Sequence, residues 1–152
     1  MSDFFQLVEQ RESCRNYDPQ KRPTKEQLVR CIQAAQLSPS ACNSQPWSFL
    51  VINSPEKAAV VAASTQCAGF NKFTDNCPSF IAVCEEDAYL MGDPQHPNQK
   101  YAEIDLGIAV AHLCYAAKQQ GLSTCIMGAF DKKMLLELSL IHISEPTRQA
   151  EI

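Results

Sequence analysis

Blocks of like charge, C-x-x-C cysteine pairs and apolar runs of membrane-spanning length are all missing from this 152-residue chain. Thirteen basic residues against 17 acidic ones give a net charge of −4. Without a basic stripe there is no footprint for nucleic acid or an anionic membrane surface, and neither partner is expected. A transmembrane helix needs about 20 consecutive apolar residues, and no stretch approaches that length. The opening MSDFFQLVEQRES has an acid at Asp3 and no leader-like apolar core, so the expected location is cytoplasmic. Histidine is sparse, at positions 96, 112 and 142, too scattered to suggest a metal triad, and no metal is expected.

Cysteine, by contrast, is plentiful: positions 14, 31, 42, 67, 77, 84, 114 and 125. With no sign of export and no metal-type spacing, these read as reduced, structural thiols. FIAVC and HLCYAA place two of them in apolar runs, where a thiol behaves as a small buried hydrophobe. At 45% hydrophobic and 20% charged, the chain has the composition and length of one globular domain.

Periodicity predicts a short amphipathic helix over 3–11, with Phe4, Leu7, Val8 and Arg11 at helical spacing. Thr24 and Gln27 form a capping-box signature for a second helix to about Leu37, which Pro39 stops. WSFLVI (47–52) reads as a central strand buried on both faces, and FIAVC (80–84) as a second. Between them PEKAAVVAAS opens as a helix does. YAEIDLGIAVAHLCYAAKQQ (101–120) is the longest helical pattern, apolar nearly all round, which implies a core or subunit-interface helix. Gly121 caps it, TCIM (124–127) reads as a third strand, and Asp131 as the N-cap of DKKMLLEL. Three strands separated by helices imply a sheet with helices on both faces.

Three stretches carry candidate chemistry. Arg11, Ser13 and Arg15 in RESCR could clamp a phosphate through charge-assisted bonds, though alone they better suit a helix C-terminus and a solvated loop. In SPSACNSQPWSF, Asn43 and Gln45 offer donors and acceptors suited to a heterocycle edge. Taken alone the stretch is better read as a polar loop with Trp47 filling the core. In CIMGAFD, Gly128 and Ala129 would let backbone N–H groups approach a ligand closely, or simply form a turn.

In order along the chain, R-x-S-x-R, then S-P-S-A-x-N-x-Q-P-W, then D-L-G-I-A-V-A-H-L and G-L-S-T-C-I-M-G-A-F-D resemble the FMN-dependent nitroreductase family over residues 3 to 137. The resemblance implies an α+β fold, a three-layer α/β/α sandwich around a mixed sheet. It also implies a homodimer with one FMN at each end of the subunit interface. By position, Arg11, Ser13 and Arg15 match the residues that hold the FMN phosphate, ribityl chain and ring edge. Ser40 and Asn43 match the loop that reaches the flavin from the partner subunit, with Gln45 beside them. Gly128 and Ala129 match the turn whose backbone N–H faces the flavin N5. NAD(P)H would be the co-substrate and a nitroaromatic, quinone or similar small molecule the acceptor. No side chain is expected to act as a nucleophile. A flavin dehydrogenase or dehalogenase, a flavin-binding protein without turnover and an inactive truncated fragment remain open alternatives.

The final stretch, LSLIHISEPTRQAEI (138–152), does not resemble the family. Read from its residues it is a strand, SLIHI, and a polar terminus. LSLIHISEPTR also resembles a translated sequencing adapter, so the expectation is a flavin-binding domain over 1–137, incomplete at its C-terminus, followed by a non-native tail.

Overall fold

The computed structural model describes residues 3–93 and 95–140. Its regular elements are α1 (Phe4–Gln10), α2 (Lys25–Gln36), β1 (Trp47–Ile52), α3 (Pro55–Thr65), β2 (Phe80–Glu85), α4 (Ala102–Gln119) and α5 (Lys132–Leu140).

Local chemistry sets most helix ends. At the start of α2 the Gln27 N–H donates to Thr24 Oγ1 at 3.2 Å, and the Thr24 N–H donates to Gln27 Oε1 at 2.9 Å, a reciprocal capping box. Pro55 opens α3 behind Ser54, whose hydroxyl accepts the Lys57 N–H. After α4, Gly121 takes φ +76°, and its N–H donates to Lys118 O while the Leu122 N–H donates to Ala117 O, a Schellman closure. The Asp131 carboxylate accepts the N–H groups of Lys133 and Met134 at the start of α5.

β1 and β2 run antiparallel, from Trp47 opposite Glu85 to Ile52 opposite Phe80. Strand alternation then sorts their side chains into two cores. Trp47, Phe49 and Ile81 pack with Cys31 and Ala35 of α2 and with Ala109, Leu113 and Ala117 of α4. Leu50, Ile52, Phe80 and Ala82 pack on the other face with Ala58, Val61 and Ala62 of α3 and Leu135 of α5. Helices therefore cover both faces of the sheet, which is why WSFLVI is apolar almost throughout instead of alternating. The architecture is α+β with helix, sheet and helix layers.

Several expectations need correcting. TCIM is not a ladder strand: Thr124 makes a single parallel bridge to Ser13, and the chain beyond it has no regular structure up to α5. The reason is that strand geometry needs a neighbour over several residues, and among the described residues β1 and β2 pair only with each other. Among the described residues β1 thus has a single partner, and Val51 is exposed. α1 buries none of its residues: Phe4 and Phe5 are 61% and 72% exposed. The Phe4 ring leans on Tyr115 of α4, at 5.8 Å between centroids. Cys84 is exposed, whereas Cys114 is buried as expected. Leu140 closes a helix, not a strand; the rest of SLIHI and the tail lie outside the described residues.

Candidate functional site

The loop after α2 carries the most unusual backbone in the molecule. Cys42, Asn43 and Gln45 have φ of +54°, +54° and +50°. For residues with side chains the left-handed region costs about 1–2 kcal/mol each. Such a loop persists only where it is held, and here five hydrogen bonds do so. The Ala41 N–H donates to Asp105 Oδ2 on α4 at 3.0 Å. Ser40 Oγ accepts the Gln45 N–H at 2.9 Å. Ser44 Oγ accepts the Tyr89 N–H at 2.6 Å, and Cys42 Sγ accepts the Met91 N–H at 3.3 Å. The Pro46 carbonyl accepts the Glu86 N–H at 3.0 Å. Pro46 and Trp47 are buried, while Cys42 and Asn43 face outward.

Beside this loop a groove of about 300 Å³ is lined by Pro39, Ser40, Ala41, Tyr101, Ile104, Asp105 and Ile108. Asp105 is a carboxylate only 4% exposed on an apolar helix face, and Ile104 next to it is 61% exposed. α4 buries one side in this chain and leaves an apolar side open, which answers the all-round apolar pattern of its sequence.

The R-x-S-x-R stretch lies elsewhere. Arg11 ends α1, its N–H bonded to Leu7 O at 2.9 Å. The bridge from Ser13 to Thr124, with the Cys14 N–H donating to Thr124 O at 2.9 Å, pins the stretch to the segment that leads to Gly128. Arg11 shares a shallow cleft with Lys118 and Ser123. Arg15 donates only to the Ser13 carbonyl, at 3.3 Å, and among the described residues neither Arg11 nor Arg15 has a carboxylate partner. Two cations without counter-charges beside a hydroxyl suit an anionic group.

Gly128 and Ala129 lie in an exposed irregular segment held from behind. Asn71, itself at φ +52°, donates from Nδ2 to Thr65 O at 3.0 Å and Ala129 O at 3.4 Å. The Asp131 N–H donates to Ser64 O at 2.8 Å. A Cβ built on Gly128 meets nothing within 4 Å. Packing inside the described chain therefore makes no demand for glycine there, and the space in front of Gly128 is open.

Within one chain, then, the structure brings residues 11–15 to the segment before Gly128 but keeps the 40–45 loop apart. Asp105, which holds that loop, and Lys118, beside Arg11, are separated along α4 by roughly 20 Å at 1.5 Å per residue. Sequence reasoning missed four supporting residues: Asp105, Asn71, Lys118 and Tyr17. Asp105 had a signal, a lone acid inside an apolar helical run. Tyr17 had none; it is half-buried against Phe73, and burial, then the thiols of Cys77, Cys125 and Cys14, push its phenol well above the usual range.

The molecule is thus an α+β layered domain in which the arginine-containing loop is bridged to Thr124, on the segment that leads to Gly128. Comparison with known proteins makes the class specific. The model of the nitroreductase family matches residues 8–65 and 54–143, and the chain belongs to that family. YdgI of Bacillus subtilis is 29% identical, with 90% of this chain and 79% of YdgI covered. The oxygen-insensitive NADPH nitroreductase of Helicobacter acinonychis is 25% identical over 93% of this chain and 81% of its own length. A crystal structure from Exiguobacterium sibiricum in complex with FMN superposes with a TM-score of 0.76 at 25% identity, covering 95% of this chain and 83% of that one.

Proposed function

We propose that this chain is an FMN-dependent oxidoreductase that passes electrons from NAD(P)H to nitroaromatics, quinones or similar small acceptors, working as a homodimer in the cytoplasm. The observation that carries the reading is the pair Arg11 and Arg15 flanking Ser13, without an ion-pair partner among the described residues and bridged at Thr124 to the segment that leads to the open backbone of Gly128 and Ala129. The FMN complex of a family relative supports the choice of cofactor.

In this reading Arg11, Ser13 and Arg15 hold the phosphate and ribityl side of the cofactor by charge-assisted bonds. Gly128 and Ala129 present backbone to the ring, which a side chain at 128 would obstruct. Ser40, Asn43 and Gln45 belong to the site of the partner subunit, since they lie at the far end of α4 from Arg11. The exposed apolar side of α4 around Ile104 is then covered by the second copy. When bound, FMN supplies two-electron transfer between nicotinamide and acceptor. The chain contributes orientation, with reacting groups within about 3–3.5 Å of one another, and no side-chain nucleophile. Residues 1 to 137 form the flavin-binding unit in this account.

Adding FMN to the purified chain and separating free flavin by gel filtration tests the reading. The expected result is one flavin per chain, eluting at twice the chain mass. Flavin that elutes wholly with the small molecules, at any protein concentration, contradicts it.

A further inference from the structure

Three thiols outside the proposed cofactor contacts lie near Tyr17: Cys14, Cys77 and Cys125. Cys14 and Cys125 belong to neither apolar core, and both are partly exposed. Their relation follows from the bridge. Ser13 faces Thr124 in parallel register, and the Cys14 N–H donates to Thr124 O at 2.9 Å. Extending the register of this single bridge by one residue sets Cys14 opposite Cys125, on the face opposite to Ser13 and Thr124. Paired strands lie about 4.8 Å apart, inside the Cα window of about 4.4–6.8 Å that a disulfide spans. Each thiol makes only a weak local contact, Cys14 Sγ to Asn16 O at 3.5 Å and Cys125 Sγ to Ile126 O at 3.8 Å, so either can rotate toward the other at little cost.

We propose that Cys14 and Cys125 form a reversible disulfide, a thiol-modification site that clasps the 11–15 loop to the segment leading to Gly128. The oxidant is a low-molecular-weight disulfide such as oxidised glutathione. One thiolate of the pair attacks a glutathione sulfur, breaking that S–S bond and releasing one glutathione thiolate. The second protein thiolate then attacks the mixed disulfide and releases the other glutathione. Two protein thiols are oxidised, one small disulfide is reduced to two thiols, and the two thiol protons pass to the released glutathione. Cys77 is the bystander: burial pushes its thiol up, and its Sγ is engaged with Ser79 O at 3.2 Å. Among the described residues no group of three His, Cys, Asp or Glu side chains is placed to hold a metal ion, so the trio is not a metal site. The inference concerns the thiols alone and stands whether or not the flavin reading does.

The test uses the full chain. It is equilibrated with oxidised glutathione, its free thiols are blocked with N-ethylmaleimide, and its peptides are mapped by mass spectrometry. The expected result is a peptide pair joined through Cys14 and Cys125, lighter by two hydrogen atoms and lost on treatment with dithiothreitol. Cys77→Ser should leave it intact. In Cys125→Ser, Cys14 should carry a glutathione adduct instead. Recovery of Cys14 and Cys125 as maleimide adducts at every oxidant ratio would overturn the proposal, as would linkage of either to Cys77.

Discussion

Replacing Asp105 by alanine probes how the outward loop is held. The carboxylate is buried and accepts the Ala41 N–H at 3.0 Å, so its removal leaves that donor unpaired at the base of a loop with three left-handed residues. A hydrogen bond to a charged group contributes about 1.5–3 kcal/mol. For a domain of this length each kcal/mol moves the melting temperature by about 2–4 °C. A loss of about 2 kcal/mol therefore corresponds to a fall of about 4–8 °C on those scales. Asp105→Asn keeps an acceptor in place and should lose less than half as much. Thermal unfolding followed by circular dichroism gives the size, and hydrogen exchange at residues 41–45 gives the location: protection should drop there first. An alanine variant within 1 °C of the parent, with unchanged exchange in the loop, would refute the claim that Asp105 sustains it.

Arg15→Ala should weaken FMN binding by about ten- to a hundredfold through loss of a charge-assisted contact, and unchanged affinity in a fluorescence titration would remove Arg15 from the site. Thr24→Ala should cost about 1 kcal/mol in urea unfolding by dissolving the capping box, and Thr24→Ser should restore most of it. Tyr17 has a raised phenol, so above pH 10 the unfolded chain releases this proton while the folded chain keeps it; stability then falls as pH rises. Tyr17→Phe should flatten that alkaline slope in denaturant titrations, and an identical slope in both proteins would contradict the assignment.

What could be read from the sequence was mostly local. Thr24 with Gln27, Pro55, Gly121 and Asp131 act within a turn of themselves, so their caps survive into the structure. WSFLVI and FIAVC were legible as strands because helices on both faces demand nearly continuous apolar residues. TCIM failed because a strand is defined by its neighbour, and a four-residue apolar run does not say whether one exists. α1 forms where its spacing placed it, but spacing alone does not decide whether Phe4 and Phe5 are covered, because that depends on packing. The proposed cofactor contacts Arg11, Ser13 and Arg15 rest on the motif, and the structure adds the Ser13–Thr124 bridge beside them. The left-handed backbone at Cys42, Asn43 and Gln45 was not, because it is imposed by distant partners such as Asp105, Tyr89 and Met91. The roughly 20 Å of α4 between Asp105 and Lys118 likewise emerges only once α4 is in place.

The central claim is that the arginine loop and the open backbone at Gly128 and Ala129 build a working flavin site, and a visible absorption spectrum tests it most directly. The chain is loaded with FMN, freed of excess, and treated without oxygen first with NADH or NADPH and then with a nitroaromatic or a quinone. The account predicts a protein-bound flavin band that bleaches with the nicotinamide and returns with the acceptor. Flavin that stays bound but is not bleached by either nicotinamide would contradict it and leave a binding protein without turnover.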